Sequence, residues 1–149
     1  MDDLPIFYFD LIHAIEVHDW IIEQSGGLQG IRDLNPLESV LDHIQNDDYY
    51  PGIIPKLTHL VFSINKFHAF NDGNKRSSIA LGAYFLALNG YDYCIKKFVL
   101  EMENGAVWVA DGKIGKDLLE RIIESILLEA DYSESLKLDI LDCLQRGEA

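Results

Sequence analysis

Apolar residues recur every three or four positions along most of the chain, which is the spacing of one face of an α-helix. The first segment with this spacing starts at Leu11 and stops at residues 25–27, where glycine is suited to a helix C-terminus. Its predicted apolar face consists of Leu11, Ile15, His18 and Ile22. The following residues, 28–36, lack a helical period, so we predict an extended loop or a small hairpin there.

Three further helices are predicted before residue 90. One starts at Pro36, a residue suited to a first helical turn, and another starts at Lys56 after a loop rich in proline and glycine. The third follows Asn74 and is small and apolar nearly all round, as expected of a central buried helix. Their predicted inward positions are Leu37, Val40, Leu41 and Ile44; Leu57, Leu60, Val61, Ile64 and Phe67; and Ile79, Ala80, Ala83, Leu86 and Ala87.

The pattern from residue 91 onward is less uniform. Residues 91–105 are ambiguous, because their β-branched and aromatic start suits a strand whereas their later residues suit a helix. Residues 113–129 and 133–146 are amphipathic helices. No repeat or linker interrupts the chain, so we predict a single all-α domain over residues 1–149, built as a helical bundle.

Composition supports a packed globule and narrows the function. The 149 residues are 48% hydrophobic and carry a formal net charge of −13 with only 12 Lys and Arg, a balance that argues against DNA binding and against a membrane-surface role. No apolar run reaches the roughly 18 residues of a membrane span, and the acidic N-terminus lacks the basic region of a signal peptide. Cys94 and Cys143 are interpreted as reduced thiols. We therefore expect a cytoplasmic protein.

The segment FHAFNDGNKRSS, residues 67–78, contains the candidate chemistry. Gly73 and Asn74 lie where a helix begins, and the unpaired N–H groups of a helix N-terminus attract anions. Gly73 permits a close backbone approach, and Asn74 can cap the helix or donate to a phosphate. Lys75 and Arg76 oppose the helix dipole at a cost of roughly 0.3–1 kcal/mol each, which a bound polyphosphate would reverse. The segment thus favours an anion site, although spacing alone equally allows a solvated turn.

Two neighbouring side chains extend this prediction from binding to catalysis. Asp72 suits a nucleotide bound with Mg²⁺, which prefers one or two protein carboxylates together with phosphate oxygens. His68 is the group most easily tuned to accept a proton near neutral pH. A base, a metal carboxylate and a phosphate cradle are typical of a phosphoryl- or nucleotidyl-transfer site.

The nine residues HAFNDGNKR closely resemble the signature of the Fic/Doc (Fido) family, H-x-F-x-D/E-G/A-N-G/K-R. Lys75 is similar to the variant found in the Doc, or death-on-curing, branch. The resemblance extends over about residues 13–90 and constrains residues 91–149 less. It implies an all-α bundle with the motif between two central helices and a short flap over the substrate groove.

The same resemblance implies a role for each motif residue. His68 would deprotonate a target hydroxyl, Phe70 would anchor the loop in the core, and Asp72 would hold Mg²⁺. The nucleotide-binding residues would be Gly73, Asn74, Lys75 and Arg76, with Lys75 at the position that distinguishes Doc from other Fic proteins. The flap, residues 30–34, would align a target peptide by strand-like pairing; it contains Gly30, Ile31, Arg32 and Asp33.

The family resemblance leaves the transferred group open. Lys75 and Ile79 stand where AMP-transferring Fic proteins have Gly and a second Arg, which favours Doc-like phosphoryl transfer from ATP or another NTP to a protein Ser or Thr. Gly73, where Doc commonly has Ala, favours nucleotidyl transfer instead. A catalytically silent binding module is the third possibility. The implied partners are a protein substrate such as a translation elongation factor, and an antitoxin whose disordered segment folds over the groove.

Several other positions allow two interpretations each. His18 is a core or capping histidine, or a residue that supports the motif. Arg32 and Asp33 belong to the flap or form a simple surface pair. Glu129 stands where self-inhibited Fic proteins have a blocking glutamate, but Ala130 departs from that motif and the stretch equally suits a plain amphipathic helix.

Overall fold

The computed structural model describes residues 4–146. They contain the helices α1 (Leu11–Ser25), α2 (Asn35–His43), α3 (Ile53–Phe67), α4 (Asn74–Leu88), α5 (Ile95–Ala110), α6 (Lys116–Leu128) and α7 (Glu134–Arg146), and one 3₁₀ turn at Asp92–Cys94. In this part of the chain β-pairing is limited to one isolated bridge, so the predicted all-α fold is confirmed. Across residues 4–146, none of the helices combines the length and the hydropathy needed to traverse a bilayer.

The first two helices begin where the sequence predicts, for identifiable reasons. Asp10 caps α1, because its Oδ1 accepts the N–H of His13 at 2.8 Å. Gly26 ends α1 with φ 82°, and its N–H bonds to the carbonyl of Ile22. Pro36 occupies the first turn of α2, where its missing N–H leaves no bond unmade.

Two helices, α3 and α5, differ from what the sequence pattern predicts. Helix α3 starts at Ile53 rather than at Lys56, because Pro55 lies in the first turn and so extends the helix instead of ending the loop. The ambiguous residues 91–105 contribute to helix α5 rather than to a strand. Phe98 on α5 packs over Gly82 of α4, where an added Cβ would lie 2.6 Å from its ring. The close approach of these two helices therefore requires glycine at position 82.

The buried apolar residues form one core around α3 and α4. Helix α3 contacts α2, α4, α5 and α6, and α4 contacts α1, α3 and α5. Most of the predicted inward positions are buried, namely Leu37, Val40, Leu41, Ile44, Leu57, Leu60, Val61, Ile64, Ile79 and Leu86. The two central helices therefore fix the ends of the segment that connects them, residues 68–73, which we call the motif loop.

Some predicted core positions are wrong. Phe67 is 53% exposed, since it is the last residue of α3 and the chain turns away into the motif loop. Ala87 is exposed, and Ala80 and Ala83 are only half-buried. Helix α4 is therefore enclosed by α1, α3 and α5 but not on all sides, contrary to the prediction from its small apolar residues.

A histidine on α3 joins three helices on the side of the core away from the motif loop. Lys116 of α6 donates to His59 Nδ1 at 2.6 Å, and His59 Nε2 lies 3.4 Å from His43 Nδ1 of α2. The His59 ring also stacks on Tyr50. Burial, followed by the charges of Lys116 and His43, lowers the pKa of His59 from 6.5 to about 4. The folded protein therefore holds this imidazole in its neutral form.

Acidification is expected to destabilise the fold through His59. The unfolded chain binds a proton at His59 near its ordinary pKa of 6.5, whereas the folded chain binds it only near 4. The contribution of neutral His59 to the free energy of unfolding is therefore complete above pH 6.5 and falls as the pH approaches 4. Urea midpoints at pH 7 and pH 5 check this expectation. The loss should be smaller in a His59→Gln variant, which cannot titrate at this position. An equal loss in both proteins would assign the pH dependence to other groups.

Candidate active site at the start of helix α4

The motif loop begins with an unusual backbone conformation. His68 caps α3 with φ 51° and ψ 68°, and in residues 4–146 it is the one non-glycine residue with positive φ. Such conformations are uncommon outside glycine, and they persist where the surrounding structure holds them, often at functional sites. The turn brings the imidazole to the wall of a pocket, while its backbone N–H still bonds to the carbonyl of Ile64 at 3.2 Å.

The residues that follow His68 in the motif loop are held by α4 on one side and by α1 on the other. The side chain of Asn74 holds the backbone of Phe70 twice: Nδ2 donates to the Phe70 carbonyl at 2.9 Å, and Oδ1 accepts the Phe70 N–H at 3.1 Å. The ring of Phe70 is buried and stacks on the imidazole of His18, with 3.8 Å between centroids. His18 Nε2 in turn donates to the carbonyl of Asp72 at 2.6 Å. These contacts hold Phe70 and Asp72 of the motif loop against α1 and α4.

These contacts revise two expectations. The side chain of Asn74 neither caps α4 nor points freely at a ligand, because both of its polar ends are engaged by Phe70. What Asn74 offers to an anion is its backbone N–H. Both interpretations of His18 agree with the structure. It is 1% exposed within the core, and it also supports the motif loop through its bond to Asp72.

The first turn of α4 has the properties of an anion site. Gly73 is its N-terminal cap, and no side chain provides a capping hydrogen bond. The first N–H bonded to the cap belongs to Ser77, which donates to the Gly73 carbonyl at 2.9 Å. For residues 4–146, no hydrogen bond is present from the N–H groups of Asn74, Lys75 and Arg76 to a backbone carbonyl outside the helix or to a side chain. They are available to a ligand.

Glycine at position 73 is explained by the structure around it. Its φ of 77° is strained for any residue with a side chain. A Cβ there would also lie 3.1 Å from Ile22 Cδ1 and 3.5 Å from His18 Nε2. The local backbone and the packing of α1 therefore require glycine at position 73, whatever the pocket binds.

The pocket in front of this turn has a volume of about 420 Å³. It brings together every motif residue for which the sequence implies a role in chemistry or nucleotide binding. Its lining consists of Asn65, His68, Asn71, Asp72, Gly73, Asn74, Lys75, Arg76 and Ala110. We call it the motif pocket.

Asp72 supplies the carboxylate of the motif pocket. Its Oδ2 accepts the N–H of Leu28 at 3.1 Å, and its Oδ1 accepts the N–H of Gly73 at 2.8 Å. The Leu28 N–H first, and then the Gly73 N–H, holds the pKa of the Asp72 carboxyl below its usual range. Residues 4–146 contain no group of three or more His, Cys, Asp or Glu side chains that could hold a metal. A single ionised carboxylate fits Mg²⁺ that takes its other ligands from phosphate oxygens and water.

Both cations of the motif pocket have partners within the protein. Lys75 Nζ lies 3.3 Å from Glu103 Oε2 on α5. Arg76 donates to the carbonyl of Gly26 at 3.1 Å and to the hydroxyl of Ser25, at the C-terminal end of α1. A phosphate that enters the pocket therefore competes with a carboxylate for Lys75 and with neutral oxygens for Arg76.

The flap, residues 30–34, is bonded to the motif loop. Arg32 and Asp33 donate their backbone N–H groups to the carbonyl of Ala69 at 2.9 and 3.0 Å, and Asn71 donates to the carbonyl of Gly30 at 3.1 Å. This pairing forms an antiparallel bridge between Ile31 and Phe70. In such a bridge the N–H and C=O of Ile31 point away from Phe70, and Ile31 is 50% exposed. The flap therefore has a free backbone edge beside the motif pocket.

The structure gives the contacts of Arg32, Asp33 and Glu129. Arg32 and Asp33 are exposed and bond to the motif loop through their backbone, and the carboxylate of Asp33 accepts the N–H of Asn35 at 3.0 Å where α2 begins. Glu129 follows the last residue of α6 and does not line the motif pocket. Its carbonyl accepts a hydrogen bond from Lys97 at 3.0 Å. In this structure Glu129 does not block the motif residues.

Three residues at or beside the motif pocket were missed from the sequence. Glu103 and Ala110 lie on α5, more than 25 positions from the motif, and nothing in their local pattern marks them. Asn65 carried a weak signal, because it is a polar residue four positions after Val61, on the packed side of α3. It lies three residues before His68, on the helix that ends at the site.

The chain belongs to the Fic/DOC family. The model of that family matches residues 8–86, more than half of the chain, and the predicted resemblance over about residues 13–90 is confirmed. The chain is also 34% identical over 80 residues to the protein kinase Doc of Escherichia phage P1. That match covers 51% of this chain and 63% of the phage protein, so the chain spans less than two thirds of its relative's length.

Proposed function

We propose that this chain transfers a phosphoryl group from ATP or another NTP to a serine or threonine hydroxyl of a protein, as the toxin of a toxin–antitoxin pair. The observation that supports this most is the motif pocket itself. It combines a helix N-terminus without a side-chain capping bond, two cations, one ionised carboxylate and an accessible histidine within about 420 Å³. The relative named protein kinase Doc supports phosphoryl transfer as the reaction class.

The residues of the motif pocket divide the reaction between them. Phosphate oxygens of the nucleotide bind the free N–H groups at the start of α4, and Lys75 and Arg76 exchange their protein partners for those oxygens. Asp72 would hold Mg²⁺, which neutralises charge on the phosphate oxygens when bound. His68 accepts the proton of the target hydroxyl as that oxygen bonds to the γ-phosphorus. The bond from the γ-phosphorus to the bridging oxygen breaks, and the NDP leaves.

The target chain has a natural place to bind. An extended peptide can pair with the free N–H and C=O of Ile31, adding a strand to the flap. Ile31 is itself bridged to Phe70, two residues after His68, so only the flap strand separates a peptide on that edge from the motif loop. The flap thus aligns a hydroxyl with the base through backbone bonds, with little demand on the target's sequence.

Nucleotidyl transfer is the second candidate function, because Gly73 is the residue that Fic proteins of that activity share. The backbone conformation and the contacts with α1 already account for that glycine. Gly73 is therefore weaker support for nucleotidyl transfer. Ile79, where those proteins have a second arginine, is 7% exposed within the core. An apolar residue enclosed in this way offers no bond to a phosphate, which favours the phosphoryl transfer.

Isotope labelling separates the candidates. The purified protein is incubated with Mg²⁺, a translation elongation factor or whole lysate, and ATP labelled at either the γ or the α phosphate. Label transferred to a protein only from the γ position is the expected result. Label from the α position would establish nucleotidyl transfer in its place. Absence of label from both, with the His68→Ala variant indistinguishable from the parent, would favour a silent binding module.

Releasing Lys75 is expected to strengthen nucleotide binding. In a Glu103→Gln variant, Lys75 no longer has to leave a carboxylate, and exposed pairs of this kind contribute about 0.2–1 kcal/mol. The dissociation constant for Mg·ATP should fall by about 1.4- to 5-fold, as measured by calorimetry. Glu124→Gln, an exposed position on α6, makes the same change in net charge and serves as the control. Equal effects in the two variants would attribute the gain to overall charge.

A further inference from the structure

One residue that lines the motif pocket has a buried polar atom without a hydrogen-bond partner. Asn65 is 1% exposed and lines the motif pocket, and its Oδ1 is buried without a hydrogen bond. Buried side-chain acceptors are nearly always satisfied in folded proteins, so each exception requires an explanation. The imidazole of His68 lines the same pocket, and over residues 4–146 no hydrogen bond to its ring is present. An unpaired acceptor and an unpaired donor thus share one pocket.

The orientation of the Asn65 amide is determined by its neighbours. Its Nδ2 donates to the carbonyl of Val61 at 2.9 Å and to the hydroxyl of Ser78 at 2.8 Å. Ser78 gives its own proton to the carbonyl of Lys75 at 2.8 Å. Exchanging the amide oxygen and nitrogen would oppose Oδ1 to the Val61 carbonyl, which is also an acceptor. The oxygen is therefore the end of the amide that these bonds leave free.

The chemistry of the pocket limits which donor this oxygen can receive. Terminal phosphates are mostly deprotonated at neutral pH, and the target hydroxyl must direct its proton to His68. Lys75 and Arg76 are held by Glu103 and by the end of α1. His68 directly follows the last residue of α3 and is three residues after Asn65, so the two residues are neighbours at the end of this helix. A rotation of the imidazole about its side-chain bonds brings a ring N–H toward Asn65.

We propose that Asn65 is a positioning residue for His68: its Oδ1 accepts the N–H of one imidazole nitrogen and so directs the other nitrogen at the target hydroxyl. A neutral imidazole has one N–H and one acceptor nitrogen, and the bond made by the first fixes which nitrogen is free. The same oxygen stabilises the imidazolium that forms once His68 has taken the proton. The proposal rests on the proposed function for its catalytic meaning, but the hydrogen bond itself is testable without any nucleotide.

Ring nitrogen signals of His68 test the hydrogen bond directly. In ¹⁵N-labelled protein without nucleotide at pH 8, long-range proton–nitrogen correlations should show one tautomer in the parent and a mixture in Asn65→Leu. Ser78→Ala removes the neighbouring bond to Nδ2 but leaves Oδ1 in place, so this variant should keep one tautomer. A mixture in the parent, or one unchanged tautomer in Asn65→Leu, would overturn the proposal.

Kinetics then test its consequence for catalysis. Removing a group that orients a metal-bound histidine commonly lowers activity 10- to 100-fold. By analogy, Asn65→Leu should lower kcat by that factor and change the KM for ATP by less than twofold. Ser78→Ala should leave kcat within about threefold of the parent. An equal fall of kcat in both variants, at comparable thermal stability, would reduce Asn65 to a structural link between α3 and α4. An inactive parent with the expected tautomers would reject the proposed function while retaining the hydrogen bond.

Discussion

Replacement of His68 by alanine is expected to lower kcat for protein labelling by at least about a hundredfold, within the 10²- to 10⁴-fold that general acid–base catalysis typically contributes. The imidazole lines the motif pocket and is the side chain there that can accept a proton from a target hydroxyl. The KM for ATP should change little, because the cradle at the start of α4 is formed by other residues. Expression of the variant should no longer arrest growth if the toxin assignment holds.

The conformation of His68 calls for a second variant. Its φ of 51° is better tolerated by asparagine than by alanine, so His68→Asn tests the loss of the base without added backbone strain. Both variants should be inactive, and His68→Asn should unfold at nearly the same urea concentration as the parent. Retention of more than a tenth of parental kcat in His68→Asn would contradict the role given to this histidine.

Truncation of Phe70 is expected to destabilise the protein by about 3–5 kcal/mol, the range for a buried Phe→Ala substitution. Phe70 is 1% exposed, stacks on His18 and has its backbone held by Asn74. The cavity would lie directly beneath the motif loop, so activity should fall further than the folded fraction alone explains. Urea denaturation at pH 7 gives the change in the free energy of unfolding.

The neighbouring aromatic residue provides a matched control for this substitution. Phe67 is the same residue type three positions earlier and is largely exposed, so Phe67→Ala should change stability by no more than about 0.5 kcal/mol. Similar losses from the two substitutions would show that Phe70 does not anchor the motif loop. The comparison also tests the corrected position of Phe67, which helical periodicity alone had placed in the core.

The helical fold was predictable because most helices carry a simple apolar stripe. Leu37, Val40 and Leu41, for example, recur at helical spacing and are all buried. Periodicity was insufficient where other contacts decide the outcome. Phe67 continues the stripe of α3 but lies beyond its packed part. Residues 95–110 form a helix whose Phe98 packs on Gly82, a contact between residues distant in sequence. Such information lies in the packing of neighbouring helices, not in the local pattern.

The site was predictable in its composition and less so in its contacts. His68, Asp72 and the first turn of α4 are contiguous in sequence, so local rules place them together. The partners of these residues come from distant segments: Asp72 receives the N–H of Leu28, and Lys75 meets Glu103. The sequence allowed the side chain of Asn74 to cap α4 or to donate to a phosphate, and in the structure it holds Phe70. Only the folded chain shows which polar groups are already engaged.

In the proposed function, the N–H groups at the start of α4 hold nucleotide phosphates. A titration of ¹⁵N-labelled His68→Asn protein with Mg·ATP tests it directly, because the variant binds without turnover. The amide signals of Asn74, Lys75 and Arg76 should shift most and should saturate with one dissociation constant. A Lys75→Ala substitution should raise that dissociation constant. Saturation that leaves these three amides unmoved, or no binding at millimolar Mg·ATP, would contradict the account.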